Sequence, residues 1–224
     1  MKSKSFQVKA GMQGVLVSCF RLRERQCAKE AIDLFEQFSE THEEVIDESK
    51  SIEDQLLEEV ARLKSRKKKS FVEQSLGDIY CMVFIQTKED PVAMIKDILE
   101  DCVKTRTKKT KCCKRFIPLQ RIGPANVHSL REMLNDLLKE FVKLESSTYS
   151  VIFEKRFSEM LDRTVCIDIV GEIAGAKHSV DLRNSKYCVM IQVFKNMVGI
   201  SLVEDYFRLR KFNLQSVYDS IVAG

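Results

Sequence analysis

The chain has 224 residues and a mass of 25.9 kDa, with 37 Lys and Arg against 33 Asp and Glu, for a formal net charge of +4. At 44% hydrophobic and 31% charged it carries enough apolar mass for a packed core, which excludes a wholly disordered chain. No apolar run approaches the roughly 18 residues of a membrane span, and the opening MKSKSFQVKAGMQG lacks the apolar stretch of a secretory signal, so a soluble protein without a membrane partner is expected.

Taken in chain order, Val15 to Cys19 reads as a short buried strand after the turn residues Gly11 and Gly14. Gln26 to Phe38 reads as a helix, with Cys27, Ala31, Leu34, Phe35 and Phe38 on one face. An acidic stretch at 40–59 interrupts the pattern, followed by helical spacing at Ile52, Leu56, Leu57, Val60 and Leu63 and a basic run from Arg62 to Lys69. Ser70 to Gln74 and Asp78 to Gln86 read as strands, and Asp90 caps a helix that has Pro91 in its first turn and runs to about Lys104. Phe116 to Leu119 completes a strand, helix, strand, strand, helix, strand order. That order is ferredoxin-like, with a four-stranded antiparallel sheet covered by helices on one face.

After Gly123 and Pro124, read as a boundary, the pattern restarts. A helix is predicted from about Val127 to Leu144, a strand over Tyr149 to Phe153, and a helix from about Asp162 to Ala176. Two final strands, Tyr187 to Phe194 and Val198 to Val203, meet across Lys195 and Asn196. In the first of them Val189, Ile191 and Val193 alternate with Met190, Gln192 and Phe194, which implies a sheet packed on both faces or a domain interface. The fold class is therefore α+β, with domains at 9–122 (carrying an insertion at about 40–69) and 123–209 and a tail at 210–224.

The net charge conceals a segregation. With +4 overall and −10 over residues 31–60, the remainder carries +14. Seven cations and no anion lie between Lys104 and Arg115: Lys104, Arg106, Lys108, Lys109, Lys111, Lys114 and Arg115. This run joins a helix to a strand, and its threonines add hydroxyl donors, an arrangement suited to phosphate oxygens. The run at Arg62 to Lys69 reads more simply as a solvated segment offset by its acidic neighbour.

Motifs for chemistry are missing. There is no G-x-G-x-x-G, Walker loop, nucleophile elbow or zinc-deaminase signature, and no nucleotide cofactor or small-molecule substrate is expected. Gln120 to Ala125 loosely fits a coenzyme A pyrophosphate loop, but Pro124 lacks the amide such a loop donates, so it reads as a strand-to-helix turn. The eight cysteines show no C-x-x-C spacing and several sit in apolar runs, which points to free thiols in a reducing intracellular compartment. The three histidines stand apart from them, so no metal site is expected. No interleaved aromatic and basic pattern favours base stacking across a sheet face.

The stretches from Tyr149 to Arg156 and from Val180 to Val189, with the final strand pair, resemble a THUMP domain, an RNA-binding module of tRNA-modifying proteins. Lys9 to Val15, with its GMQG, and the tail Asp205 to Leu214 resemble the stand-alone THUMP adaptors of tRNA acetylation, a likeness covering roughly residues 9–217 (THUMP region about 90–208). The resemblance implies that both domains together hold tRNA by its acceptor stem and CCA end. It also implies that the protein, without being an enzyme, presents tRNA to a separate RNA cytidine acetyltransferase, which makes acetylcytidine in the D arm of serine and leucine tRNAs. A nuclear or nucleolar location follows from the same likeness. By position, Lys155, Arg156 and Arg163 join the seven cations as candidate RNA contacts, and Asn184 is carried over from the family's turn, although Ser185 stands where the family usually has proline. Arg163 has a competing role, pairing with Asp162 at its helix start. Two alternatives stand beside the adaptor: an acetyltransferase using Gln120 to Ala125, and an interaction module whose partner docks on the acidic 40–59 stretch.

Overall fold

The computed structural model describes residues 5–43 and 70–222, so the spacing at 52–63, the run from Arg62 to Lys69 and most of the acidic stretch lie outside the described residues. β1 (Gly14–Cys19), α1 (Glu24–Glu43), β2 (Phe71–Gln74), β3 (Met82–Thr87), α2 (Pro91–Thr105) and β4 (Cys113–Leu119) form the first half. Their strands pair antiparallel in the order β2-β3-β1-β4. α1 buries Cys27, Ala31, Leu34 and Phe35 of the face its spacing singled out, with Phe38 half-buried at the edge of the core, and Phe35 meets Phe71 and Phe116 with ring centroids 5.7 and 5.6 Å away. α2 starts where Asp90 accepts the Val92 amide at 2.9 Å, a cap of about 1 kcal/mol, and ends at Arg106 in the left-handed region.

Two strands differ from their predicted bounds. Asp78 to Cys81, expected inside a strand, precede β3 because Cys81 takes a φ of 60°. There its amide donates to Glu24 Oε1 at 2.9 Å and its carbonyl accepts from Cys19 at 2.9 Å. β4 begins at Cys113 rather than Phe116, so Lys114 and Arg115 are strand residues held in register, Arg115 opposite Ser18.

The second half comprises β5 (Arg121–Pro124), α3 (Val127–Leu137), α4 (Lys139–Lys143), β6 (Thr148–Arg156), α5 (Arg163–Ala174), β7 (Ser179–Val180), β8 (Tyr187–Phe194) and β9 (Met197–Glu204). Its sheet runs β5-β9-β8-β6-β7, parallel where β6 meets β7 and β8 and antiparallel elsewhere. The single helix expected at 127–144 is interrupted at Leu138, whose ψ is 2°, although Leu130, Leu134, Leu138 and Phe141 stay buried as one face. Gln120 to Ala125, expected as a turn, is largely strand β5.

The alternation in β8 has its predicted consequence. Val189, Ile191 and Val193 belong to the core beneath α3 and α5, whereas Cys188, Met190 and Phe194 join the core of the first half. The centre of the second sheet, β8 and β9, is thus buried on both faces, and the two halves share one interior. Crossing occurs at Gln120, between β4 and β5. Its amide donates to Ile200 O at 2.9 Å and its side chain accepts from Leu202 N at 3.0 Å, while Ser201 Oγ donates to Pro118 O at 2.8 Å. Residues after 209, expected as a tail, form a short turn (Arg210–Phe212) and α6 (Leu214–Val222), with Phe212, Leu214 and Val217 buried in the shared core.

The halves pack tightly at Gly199, where an added Cβ would lie 2.6 Å from Leu119 Cδ1 in a fully buried neighbourhood. Gly199→Ala should therefore cost about 1–3 kcal/mol in urea denaturation. Combined with Leu119→Ala it should cost less than the sum of the two single changes, because the second substitution vacates the space that the first needs.

Candidate nucleic-acid interface

Seven cations between residues 104 and 115 would, if all were free, form one dense basic patch. Instead they divide into tethered and free groups. Lys109 Nζ lies 2.5 Å from Asp101 and 5.8 Å from the centre of the Phe38 ring. Lys108 donates to Gln215 of α6. Arg115 Nη1 reaches across the seam to Glu154 Oε1 at 3.3 Å. Lys114 Nζ stands 3.6 Å above the ring of Phe20, which is 51% exposed, so its charge stays at the surface. Lys104, Arg106 and Lys111 are exposed, and their side chains have no ion-pair partner among the described residues. The threonines, read as phosphate donors, are used internally. Thr105 donates to Asp101 O at 2.8 Å and lies 2.7 Å from the Thr107 hydroxyl, and Thr110, buried, donates to Cys113 O at 3.2 Å.

The THUMP-side candidates divide the same way. Lys155 pairs with Glu159 at 2.9 Å. Arg156 donates to Glu154 Oε2 at 2.6 Å and to Gln192 Oε1 at 2.8 Å. Two guanidinium groups therefore share the one carboxylate of Glu154, in a half-buried cluster that joins β4 to β6 and β8. Removing Glu154 would leave two like charges facing each other, a loss of about 1–2 kcal/mol, between the values for exposed and buried pairs. Tyr206 is buried beside this cluster, and burial pushes its phenol up to about 12. Arg163, the first residue of α5, is exposed and has no partner among the described residues. The pairing with Asp162 does not form, because Asp162 accepts the Thr164 amide at 2.7 Å instead. Asn184 sits exposed in a turn in which Asp181 Oδ1 accepts the amides of Arg183 and Asn184 at 2.8 and 3.0 Å, bonds that hold the Asp181 carboxyl below its ordinary range. Ser185, in the family's proline position, is buried and lies 2.8 Å from the Ser150 hydroxyl, so a side-chain bond to β6 does the fixing that proline would do by its ring.

Two groups of basic residues escaped the sequence reading. Phe20, Arg21, Arg23, Gln26, Lys111 and Cys112 line an open cleft of about 460 Å³ beside the exposed Leu22, whose φ is 64°. The signal was the Arg21, Arg23, Arg25 alternation running into the start of α1, which helical spacing passes over. The other is Arg210 and Lys211, which the sequence marks as part of the tail likeness but not as basic surface residues. Arg210, Lys211 and Phe212 have φ of 50, 56 and 56°, a left-handed turn that costs L residues about 1–2 kcal/mol each. It is held by Lys211 N donating to Tyr206 O at 2.7 Å and by the T-shaped contact of Tyr206 with Phe212 at 5.5 Å.

Among the described residues no group of three or more His, Cys, Asp or Glu is placed to hold a metal. All eight cysteines are free. Cys27 and Cys113 lie 3.4 Å apart, and that contact, together with burial, drives the Cys27 thiol up, so these sulfurs serve as packing atoms.

Glu30 fixes the end of the basic loop by accepting the amides of Lys111 and Cys112 at 3.0 and 2.8 Å. Burial works to raise its carboxyl, but those two amides outweigh it and hold the group below its ordinary 4.5. A depressed carboxylate stabilises fully above the unfolded value and loses that contribution as pH falls through the folded one. Hydrogen-exchange protection of the Lys111 and Cys112 amides should therefore drop on acidification from about pH 6 to 3, and Glu30→Gln should flatten that dependence.

The family model for the THUMP domain matches residues 124–203. The chain is 30% identical to an uncharacterized protein of Schizosaccharomyces pombe, over 97% of this chain and 79% of that protein. It is 28% identical to THUMP domain-containing protein 1 of Mus musculus, over 96% of this chain and 67% of that one. It is 26% identical to the tRNA acetyltransferase TAN1 of Saccharomyces cerevisiae, over 97% and 90% respectively.

Proposed function

The chain belongs to the THUMP family of tRNA acetylation adaptors, and within it we propose a non-catalytic, tRNA-binding protein that presents tRNA to a separate RNA cytidine acetyltransferase. The substrates of that partnership would be serine and leucine tRNAs acetylated on a D-arm cytidine, in the nucleus or nucleolus. On this reading the first half is a ferredoxin-like domain, supported by its β-α-β-β-α-β order and its β2-β3-β1-β4 antiparallel sheet.

One observation carries the proposal: Lys104, Arg106, Lys111 and Lys114 on the first half and Arg163 on the second present uncompensated charge from a body whose halves share a core. Such cations meet phosphates without reading bases, while A-form shape and 2′-hydroxyl groups supply recognition of a folded RNA. The contribution to catalysis is proximity, since an RNA fixed beside the enzyme reacts as though at high local concentration.

The name of the yeast relative favours a second reading, in which the chain acetylates by itself. Against it, the amides of Gln120 and Ala125 donate to Ile200 O and Asn196 O at 2.9 Å, and Arg121 binds Asp136, so Gln120 to Ala125 offers no open anion cradle.

Binding of unfractionated tRNA to the full chain should weaken steeply with salt, and Lys104→Gln with Arg106→Gln and Lys111→Gln should lower affinity about 10- to 100-fold and flatten the salt slope by about 2. Lys109→Gln or Lys155→Gln, removing tethered cations, should leave that slope near its starting value. Salt-independent binding would sink the proposal. Calorimetry of the full chain with coenzyme A should show no saturable heat, and a one-to-one isotherm would favour the enzyme reading instead.

A further inference from the structure

Three consecutive non-glycine residues in the left-handed region need an explanation beyond chain reversal, because a looser connection would join β9 to α6 without strain. The turn sorts its side chains sharply. Leu209 and Phe212 are 1% exposed, whereas Arg210 and Lys211 between them are exposed and have no partner among the described residues. Two residues earlier, Arg208 is tied to Asp205 at 2.9 Å and Glu100 at 3.1 Å, so carboxylates lie within reach of this segment and the turn holds its last two cations clear of them.

The position of the turn identifies what such a pair would meet. Asn213 bridges to Arg115 on β4, and Gln215 accepts from Lys108, so the turn lies against the loop that carries Lys104, Arg106 and Lys111. We infer that Arg210 and Lys211 form a rigid two-cation prong that grips the phosphate backbone of RNA and extends the surface of the 104–115 loop. Rigidity is the function of the strained backbone: cations already held outward lose little conformational freedom on binding, and two adjacent charges on a fixed turn set the register of the strand they touch. The prong rests on the tRNA-binding reading and adds to it a site contributed by the C-terminal segment.

The decisive experiment measures anisotropy of labelled unfractionated tRNA with the full chain across a salt series. Arg210→Gln with Lys211→Gln should fold with an unchanged melting temperature, weaken binding about 10-fold and reduce the salt slope by about 1.5, as expected for two lost phosphate contacts. Lys211→Gly separates charge from strain, because glycine adopts positive φ freely: it should raise the melting temperature and still weaken tRNA binding. Arg208→Gln should do the reverse, lowering stability with little effect on affinity. Unchanged affinity and slope in the double variant, with the Lys104, Arg106 and Lys111 triple variant still impaired, would overturn the prong while leaving the tRNA reading intact. A double variant that binds tRNA normally but no longer co-precipitates an acetyltransferase would make the turn a protein contact and also overturn it. Salt-independent tRNA binding by the unaltered chain would remove the reading on which the prong rests.

Discussion

The double burial of the second sheet is the constraint from which the rest of the molecule follows. Because β8 gives Val189, Ile191 and Val193 to one interior and Cys188, Met190 and Phe194 to another, the centre of the sheet cannot be solvated on either face. The first half has to cover it, and the approach is close enough that a Cβ at position 199 would press on the Leu119 side chain at 2.6 Å. Gln120 and Ser201 then satisfy the backbone groups that the crossing would otherwise strand in a dry seam. The C-terminal segment closes the same interior, with Tyr206, Leu209, Phe212 and Leu214 buried against the first half.

A rigid junction gives the charges their meaning. Cations near the seam serve the fold: Arg115 and Arg156 divide the carboxylate of Glu154 between them, and Lys108 and Lys109 tie the basic loop to Gln215 and Asp101. Other exposed cations have no ion-pair partner among the described residues, from Lys104 and Arg106 at the end of α2 to Arg163 at the start of α5. A polyanion that spanned both halves would therefore meet charges at fixed separations, which is how a protein without a base-reading motif selects a folded shape.

The buried thiols are packing atoms, Gln120 to Ala125 is engaged as a sheet edge, and the strained turns at Leu22 and at 210–212 lie beside exposed basic residues. Under the proposed adaptor function, strain placed at a charged surface would serve to orient a large ligand for another catalyst to act on.

Local pattern alone determined much of this protein. The helix face of Cys27, Ala31, Leu34 and Phe35, the Asp90 and Pro91 helix start, the α+β class and the two-faced character of β8 all follow from spacing and capping chemistry, which act over a few residues. The basic run at 104–115 was equally plain, and the family likeness rested on short contiguous segments. Which of its cations are free was a tertiary matter, because Asp101, Glu154 and Gln215 reach them from elements whose positions no local pattern encodes. The same reason hid Arg21 and Arg23, and hid the exposure of Arg210 and Lys211, which the tail likeness alone had marked. Their importance comes from turns at positive φ, at Leu22 and at 210–212, that non-glycine residues adopt only when a surrounding core holds them there, so only the assembled structure showed where those charges point.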